Sequence, residues 1–205
     1  MLAPGWPAVL ADGPVTLRPY HRADARAWSE VRRVNERWLA PWEPTPPGSW
    51  AELNAPSSFR YVLRELRRSG RTGEAMPFAV VYSGRLVGQL SIGNIVRRAF
   101  CSGYAGYWVD HRVAGRGITP TALALVVDHA FHAGGLHRIE VNIRPENTAS
   151  RRVVEKLGFR EVAYHPRYLH IDGAWRDHVG YAITAEDVVD EGGLLARWHR
   201  VSGRT

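Results

Sequence analysis

The chain has 205 residues, with 27 Lys+Arg against 20 Asp+Glu and a formal charge of +7. Its 45% hydrophobic and 23% charged residues describe a globular chain long enough for one well-packed domain, and exclude the low-hydrophobicity signature of disorder. The single cysteine, Cys101, excludes an internal disulfide framework and any Cys-based zinc or iron–sulfur site.

Residues 15–19 alternate briefly and read as a first strand. Residues 24–39 carry Ala27, Trp28, Val31, Val34 and Trp38 at helical spacing, and Pro41 ends the segment. Residues 41–56 are proline-rich and read as an irregular loop. Residues 57–69 form a second amphipathic helix (Phe59, Val62, Leu63, Leu66), with Gly70 as the expected stop. Residues 77–82 and 86–92 are strands joined by the hairpin signal Ser83-Gly84-Arg85. Residues 103–109 give a further strand.

Residues 118–133 predict a core-facing helix through Leu123, Val126, Val127, Ala130 and Phe131. Residues 139–143 alternate as a strand. Residues 147–157 predict a short helix with Asn147 as N-cap, and Gly158-Phe159 fits a Schellman ending. Residues 160–171 and 175–183 read as two last strands around Asp172-Gly173. From Thr184 a polar tail follows, with a marginal helix at 194–198. The order predicts a mixed α/β single domain spanning 1–205, with its core at about 15–183 and a polar tail over 184–205.

No apolar run approaches the ~20 residues of a membrane span, and residues 1–14 lack the features of a signal peptide. A cytoplasmic location is therefore expected. Of the 27 basic residues 26 are Arg, and Lys156 is the one Lys. Such charge points to polyanionic partners: nucleic acid, ribosome or a phosphorylated ligand. Coding bias from a GC-rich genome also explains an Arg excess, without removing the charge. The basic clusters are short: Arg64/Arg67/Arg68/Arg71, Arg97/Arg98 and Arg151/Arg152.

The stretch Val109-Asp110-His111-Arg112-Val113-Ala114-Gly115-Arg116-Gly117-Ile118-Thr119 runs a strand through a Gly-rich turn into a helix. Glycines admit close approach to a ligand, and the free N–H groups and dipole of the first helical turn attract phosphate. Arg112 and Arg116 add contacts suited to pyrophosphate. The chain has no Gly-Lys-Ser/Thr triplet, which excludes a Walker A loop, and Pro120 stands where a dinucleotide fingerprint needs its third glycine.

Arg112-x-x-Gly115-x-Gly117 resembles the R/Q-x-x-G-x-G/A acetyl-CoA motif of the GNAT acetyltransferase superfamily. Asn147-Thr148-Ala149-Ser150 at a helix start and Leu157-Gly158-Phe159 are similar to the second half of that family. Leu39-Ala40-Pro41-Trp42-Glu43-Pro44 and Tyr168-Leu169-x-Ile171-Asp172-Gly173-x-Trp175-Arg176-Asp177-His178 resemble the RimJ/RimL type, which acetylates ribosomal-protein N-termini. The resemblance covers about residues 15–183. It implies a mixed, mostly antiparallel sheet of about seven strands, splayed between the fourth and fifth, with about four main helices.

The resemblance further implies direct transfer of an acetyl group from acetyl-CoA to an amine. The expected acceptor is the N-terminal α-amine of an Ala- or Ser-starting protein. Cofactor contacts fall on Trp108, Val109, Arg112, Gly115, Arg116, Gly117, Ile118, Thr119, Asn147 and Arg152. Many members place a Tyr seven residues after the Asn to protonate the leaving thiolate; here that residue is Val154, and Ser150 takes the role in the RimJ/RimL manner. Ser150, Glu43 and Asn147 are the expected catalytic residues, with Glu43 as base and grip on the ammonium. Glu140 and Asp177 are the other acidic candidates. Some relatives carry a Glu two residues before Leu169; here Arg167 stands there. Trp42, Glu43, Tyr168, Trp175, Asp177 and His178 are the expected acceptor contacts. The histidines show no metal-binding spacing, so no metal is expected. Alternatives are acetylation of a small amine (a polyamine or aminoglycoside) or of protein Lys, or a non-enzymatic RNA- or ribosome-binding module.

Overall fold

The computed structural model describes residues 3–203. Its strands are β1 (Leu10–Asp12), β2 (Val15–Arg18), β3 (Met76–Tyr82), β4 (Arg85–Val96), β5 (Ser102–Val109), β6 (Arg138–Ile143), β7 (Arg160–Ile171) and β8 (Ala174–Thr184). They form one 8-stranded sheet in the order β1-β2-β3-β4-β5-β6-β8-β7. All neighbours are antiparallel except β5 and β6. The helices are α1 (Ala25–Val34), α2 (Glu36–Leu39), α3 (Trp50–Leu53), α4 (Phe59–Thr72), α5 (Ile118–His132), α6 (Thr148–Lys156) and α7 (Leu194–Ser202).

The sheet has one strand more than the sequence suggests. Three-residue β1 is too short to show alternation, yet it pairs with β2 across Gly13, whose φ of +51° suits the tight turn. The parallel β5–β6 pairing holds only from Ser102↔Arg138 to Tyr104↔Glu140. Beyond Tyr104 the two strands part, so the expected splay between the fourth and fifth predicted strands lies between β5 and β6.

The helix predicted over 24–39 breaks into α1 and α2 at Asn35. Asn35 is fully buried, and its side chain bonds Asp110 and His111 instead of continuing an amphipathic face. The helix predicted to stop at Gly70 runs on to Thr72. Gly70 is a packing residue: a Cβ there would lie 2.2 Å from the Trp6 indole nitrogen. The stop is Gly73, left-handed at φ +76°. The Pro-rich segment 41–56 holds the short α3, capped by Ser49. At the end of α6, Phe159 N–H bonds the Val154 carbonyl and Gly158 N–H that of Glu155, a Schellman ending with both apolar residues buried.

The main core lies between the sheet and α5, α6 and α7, through Leu123, Val127, Ile139, Val141, Val154 and Leu194. A smaller core on the opposite sheet face joins α1 and α4 through Trp28, Val31, Phe59 and Leu63. The segment expected to be a polar tail belongs to the main core. Leu194 and Trp198 are buried, and Asp128 of α5 accepts the N–H groups of Leu194 and Leu195 at the start of α7. Those two apolar residues among polar neighbours give too short a period to read as packed.

Candidate active site

One cleft of about 1310 Å³ opens where β5 and β6 part. Its walls are the Gly-rich turn, the first turns of α5 and α6, the loop after α2, and the β7–β8 hairpin.

After β5 the chain makes one 3₁₀ turn, 111–113, capped by Asp110. Gly115 and Gly117 follow, each at φ +79°, and Gly117 is the N-cap of α5. A β-carbon at these angles is strained, so glycine is required for the chain to double back and open the helix there. The N–H groups of Ile118 and Thr119 precede any intrahelical partner, and Pro120 has none to offer. Gly115, Arg116, Gly117, Ile118 and Thr119 all line the cleft, as expected.

Arg112 does not. Its guanidinium turns to Asp110, with Nη2 2.6 Å from Oδ2, and it is absent from the cleft wall. Asp110 is buried, which by itself would raise its pKa; hydrogen bonds from Arg112 and Asn35 outweigh that and hold it below the usual carboxylate range. The exposed Arg112 and His111 thus close over the buried Asn35 and Asp110 in a hydrogen-bonded knot that fixes the turn. Two other cations do line the cleft, Arg152 and Lys156, one turn apart on α6. Lys156 matches no motif, but the i, i+4 spacing from Arg152 was the available signal.

Asn147 caps α6, accepting the Ser150 N–H at 3.1 Å. Ser150 Oγ lies 2.8 Å from the Tyr107 hydroxyl. Tyr107 has no motif either. It is the β5 residue whose side chain alternates away from Trp108 and toward α6. Burial pushes the Tyr107 phenol well above its ordinary pKa, and the bond to Ser150 offsets this only in part.

Backbone alternation decides which β5 groups face the gap. Asp110 N–H bonds the Val87 carbonyl, so residues 110 and 108 turn their backbone groups to β4, and 109 and 107 turn theirs to the gap. The Trp38 indole donates to the Val109 carbonyl at 3.1 Å, leaving the Val109 N–H on the cleft side. Trp108 lines the cleft through its indole instead, with the Arg32 guanidinium 5.2 Å from the ring centre.

The opposite mouth is built by two pieces. In the loop after α2, Trp42 lies under the Arg144 guanidinium, and Arg144 Nη1 donates to the Pro41 carbonyl at 2.7 Å. Glu43 lines the cleft, but both of its carboxylate oxygens are held by the buried Arg32. The loop is pinned to the hairpin by the Pro44↔Ile171 bridge and by Thr45 N–H on the His170 carbonyl. In the hairpin, Tyr168, Leu169 and His178 line the cleft. His178 is buried; its Nδ1 is 3.1 Å from the Arg176 carbonyl, so Nδ1 carries the proton and Nε2 a lone pair. Burial is the chief cause that lowers the His178 pKa, with Arg144 and His165 adding to it. Tyr168 accepts from the Asn142 amide at 3.3 Å and meets the His178 ring edge-on.

Two expected acceptor contacts lie outside the cleft. Trp175 is 62% exposed on the hairpin and packs on His170. Asp177 accepts the Tyr164 hydroxyl and the N–H of Arg167, which sits at φ +49°; it shapes the β7 bulge that brings Tyr168 inward. Glu140 is bonded to Arg138 at 2.7 Å. Among the described residues, no three His, Cys, Asp or Glu side chains converge as a metal site, and no helix is long and apolar enough to cross a membrane.

A Gly-rich turn opening a helix beside a splayed pair of strands, with a cleft running between them, is the arrangement of an acetyl-CoA-dependent N-acetyltransferase. Residues 15–160 match the acetyltransferase (GNAT) domain, and the chain belongs to the GNAT acetyltransferase family. It is 30% identical over 175 residues to the [ribosomal protein uS5]-alanine N-acetyltransferase of Escherichia coli, covering 84% of this chain and 89% of that protein. Among solved structures, Mycobacterium smegmatis RimJ in complex with CoA-disulfide superposes with a TM-score of 0.94 at 42% identity, over 99% of this chain and 98% of that one. The ribosomal-protein-S5-alanine acetyltransferase of Vibrio fischeri gives 0.79 at 30% identity, over 88% and 98%.

Proposed function

We propose that the chain acetylates the N-terminal α-amine of a ribosomal protein, one beginning with Ala or Ser. The relatives named for ribosomal-protein alanine acetylation support this acceptor. The observation that carries it is the shape of the acceptor side. Its floor is made of Ser91, Gly93 and Gly106, and a Cβ built on Gly93 or Gly106 would meet no atom within 4 Å. That leaves room for a backbone with a small first side chain. The carboxylates nearby are each paired, Glu43 with Arg32, Glu146 with Arg144 and Glu140 with Arg138, which disfavours a polyamine.

Acetyl-CoA supplies the activated acyl group as a thioester. Its pyrophosphate is held by the N–H groups of Gly117, Ile118 and Thr119 and by Arg116, Arg152 and Lys156. The Val109 N–H faces the developing oxyanion. Ser150 Oγ donates to the departing sulfur, and Tyr107, a positioning residue, donates to Ser150 so that the serine proton points outward. The α-ammonium, with an ordinary pKa of ~8, needs only a modest base. His178 Nε2 fills that role better than Glu43, whose two oxygens are already engaged. Trp42 and Tyr168 wall the acceptor.

An acetyl-CoA turnover assay over a peptide panel tests the reading. Free Ala- and Ser-starting peptides should be acetylated, with internal-Lys peptides and polyamines slow. Turnover confined to polyamines would overturn it.

A further inference from the structure

The arginines of α4 take no part in the cleft. At 3.6 residues per turn, Arg60, Arg64, Arg67 and Arg71 fall within roughly a 60° arc, spread over about 16 Å of helix. Arg60, Arg64 and Arg71 are exposed and Arg67 is half-exposed. Among the described residues none of the four forms an ion pair; the helix's one paired arginine is Arg68, shared by Glu65 and Glu74. Tyr61, itself half-exposed, lies between two of them, its ring centre 4.6 Å from the Arg60 guanidinium and 5.4 Å from that of Arg64.

Packing does not explain the stripe. The helix is already anchored by Phe59, Leu63 and Gly70 on another face. Like charges one turn apart each cost a few tenths of a kcal/mol. An external polyanion would offset that cost.

We propose that this stripe is a docking surface for RNA, with backbone phosphates on the four guanidinia. A nucleic-acid duplex carries about one charge per 1.7 Å of axis, so about nine phosphates lie along these 16 Å, enough for the side that faces the helix to supply four arginines. An acidic protein would satisfy the charge equally well, but two of the guanidinia lie over the Tyr61 ring, one of them also bonded to its hydroxyl, and such fixed guanidinium planes favour RNA, because unpaired bases stack on them beside the phosphate contacts. The position is apt as well. Trp108, which lines the cleft, packs against the same small core as Phe59 and Leu63 of α4. A ribonucleoprotein would thus meet the stripe and the acceptor mouth from one side of the sheet.

The test measures anisotropy of a short fluorescein-labelled RNA hairpin with the full chain over a salt series, without acetyl-CoA. Four contacts should give a slope of log K against log[salt] of about −3.6. The variant Arg60→Gln/Arg64→Gln/Arg67→Gln/Arg71→Gln should bind at least about tenfold more weakly with a slope near zero, while turnover of a free peptide is unchanged. Arg64→Glu alone, should the fourfold variant misfold, should weaken binding about fivefold. Equal hairpin binding by wild type and variants would overturn the proposal, as would no binding by wild type at low salt. Labelled polyglutamate binding as tightly, with the same dependence on the stripe, would assign the surface to an acidic protein and overturn it too.

Discussion

The Tyr107 hydroxyl and Ser150 Oγ stand 2.8 Å apart at the point where β5 meets the first turn of α6. A buried phenol whose pKa is raised stays protonated across the physiological range, so it is able to donate. Either hydroxyl can be the donor at this distance; donation from Tyr107 to Ser150 is the direction that turns the serine proton into the cleft, as the proposed transfer requires. Ser150→Ala should lower kcat about 100-fold with little change in KM, the scale of one general acid. Tyr107→Phe should lower kcat about tenfold, and the double variant should be no slower than Ser150→Ala, since both act through one proton. Steady-state kinetics of the cycle checks this; full activity of Tyr107→Phe would leave Ser150 acting alone.

His178 sets an acidic limb. Its folded pKa lies below the ordinary 6.5, because burial disfavours the cation. Arg144 and His165 face it and strengthen the effect, while Glu146 opposes it, and Tyr168 packs on its ring. The base is therefore neutral at neutral pH; the acceptor amine, with its pKa of ~8, gives kcat/KM one acidic limb, and His178 should add a second, steeper fall below 6.5. The sign for stability follows. Between the folded pKa and 6.5 the unfolded chain binds the extra proton, so stability is fully present above 6.5 and falls with pH through that window. His178→Gln should remove the lower of the two acidic limbs from the kcat/KM profile, leave the amine's limb, and flatten the corresponding pH dependence of the Tm. A lower limb that persists unaltered would assign the base elsewhere.

Glu43 and Arg32 form a buried-to-surface ion pair across the cleft mouth, with Trp50 stacked 4.4 Å from the same guanidinium. Glu43→Gln leaves that guanidinium short of a charged partner and should destabilise the fold by about 2 kcal/mol. For a chain of this length that is a Tm lowered by about 6 °C. The kcat should change less than about tenfold, since a general base contributes 100-fold or more. Loss of 100-fold or more in kcat with an unchanged Tm would restore Glu43 as the base.

The legible parts of this molecule were those fixed by local backbone chemistry. Gly115 and Gly117 announce left-handed positions, Asn147 a helix cap, and Gly158-Phe159 a helix end, each within a few residues. The misread parts depend on partners far along the chain. Asn35 breaks a helix because Asp110 and His111 lie 75 and 76 positions away in sequence. Gly70 looks like a helix stop and is instead the seat of Trp6. Arg112 matches the acetyl-CoA motif, and the sequence does not show that its side chain pairs with Asp110. Tyr107 could be assigned to a strand face but not to Ser150, 43 positions on.

The cofactor side carries its own expectation. Arg116, Arg152 and Lys156 line the cleft beside the Gly-rich turn, with Arg152 and Lys156 on one face of α6. Lys156→Gln and Arg152→Gln should each raise the KM for acetyl-CoA about tenfold, the loss of one charge-assisted contact, while kcat holds. Arg112→Gln should act differently, lowering the Tm more than it raises that KM, because its partner is the buried Asp110. Isothermal titration with CoA and thermal melts separate the two behaviours; CoA affinity lost most in Arg112→Gln would return that residue to the pyrophosphate.

The segment after β8 should prove essential. Trp198 is buried, and its indole donates to the Thr121 hydroxyl at 2.8 Å. Thr121 lies in the first turn of α5, where its N–H bonds the Gly117 carbonyl. Trp198 therefore braces the turn that presents its N–H groups to the cofactor. Trp198→Ala should cost about 4 kcal/mol through the cavity it leaves, lowering the Tm by about 12 °C. Thr121→Val keeps the volume and removes the acceptor, so it should cost about 1–2 kcal/mol, because a buried indole N–H loses its partner. Both should raise the KM for acetyl-CoA before they alter kcat, since the support lies behind the pyrophosphate site and away from Ser150. Thermal melts and the acetyl-CoA KM of the two variants decide the matter: a Trp198→Ala variant with wild-type Tm and KM would mean that α7 is the dispensable tail its polar sequence suggests.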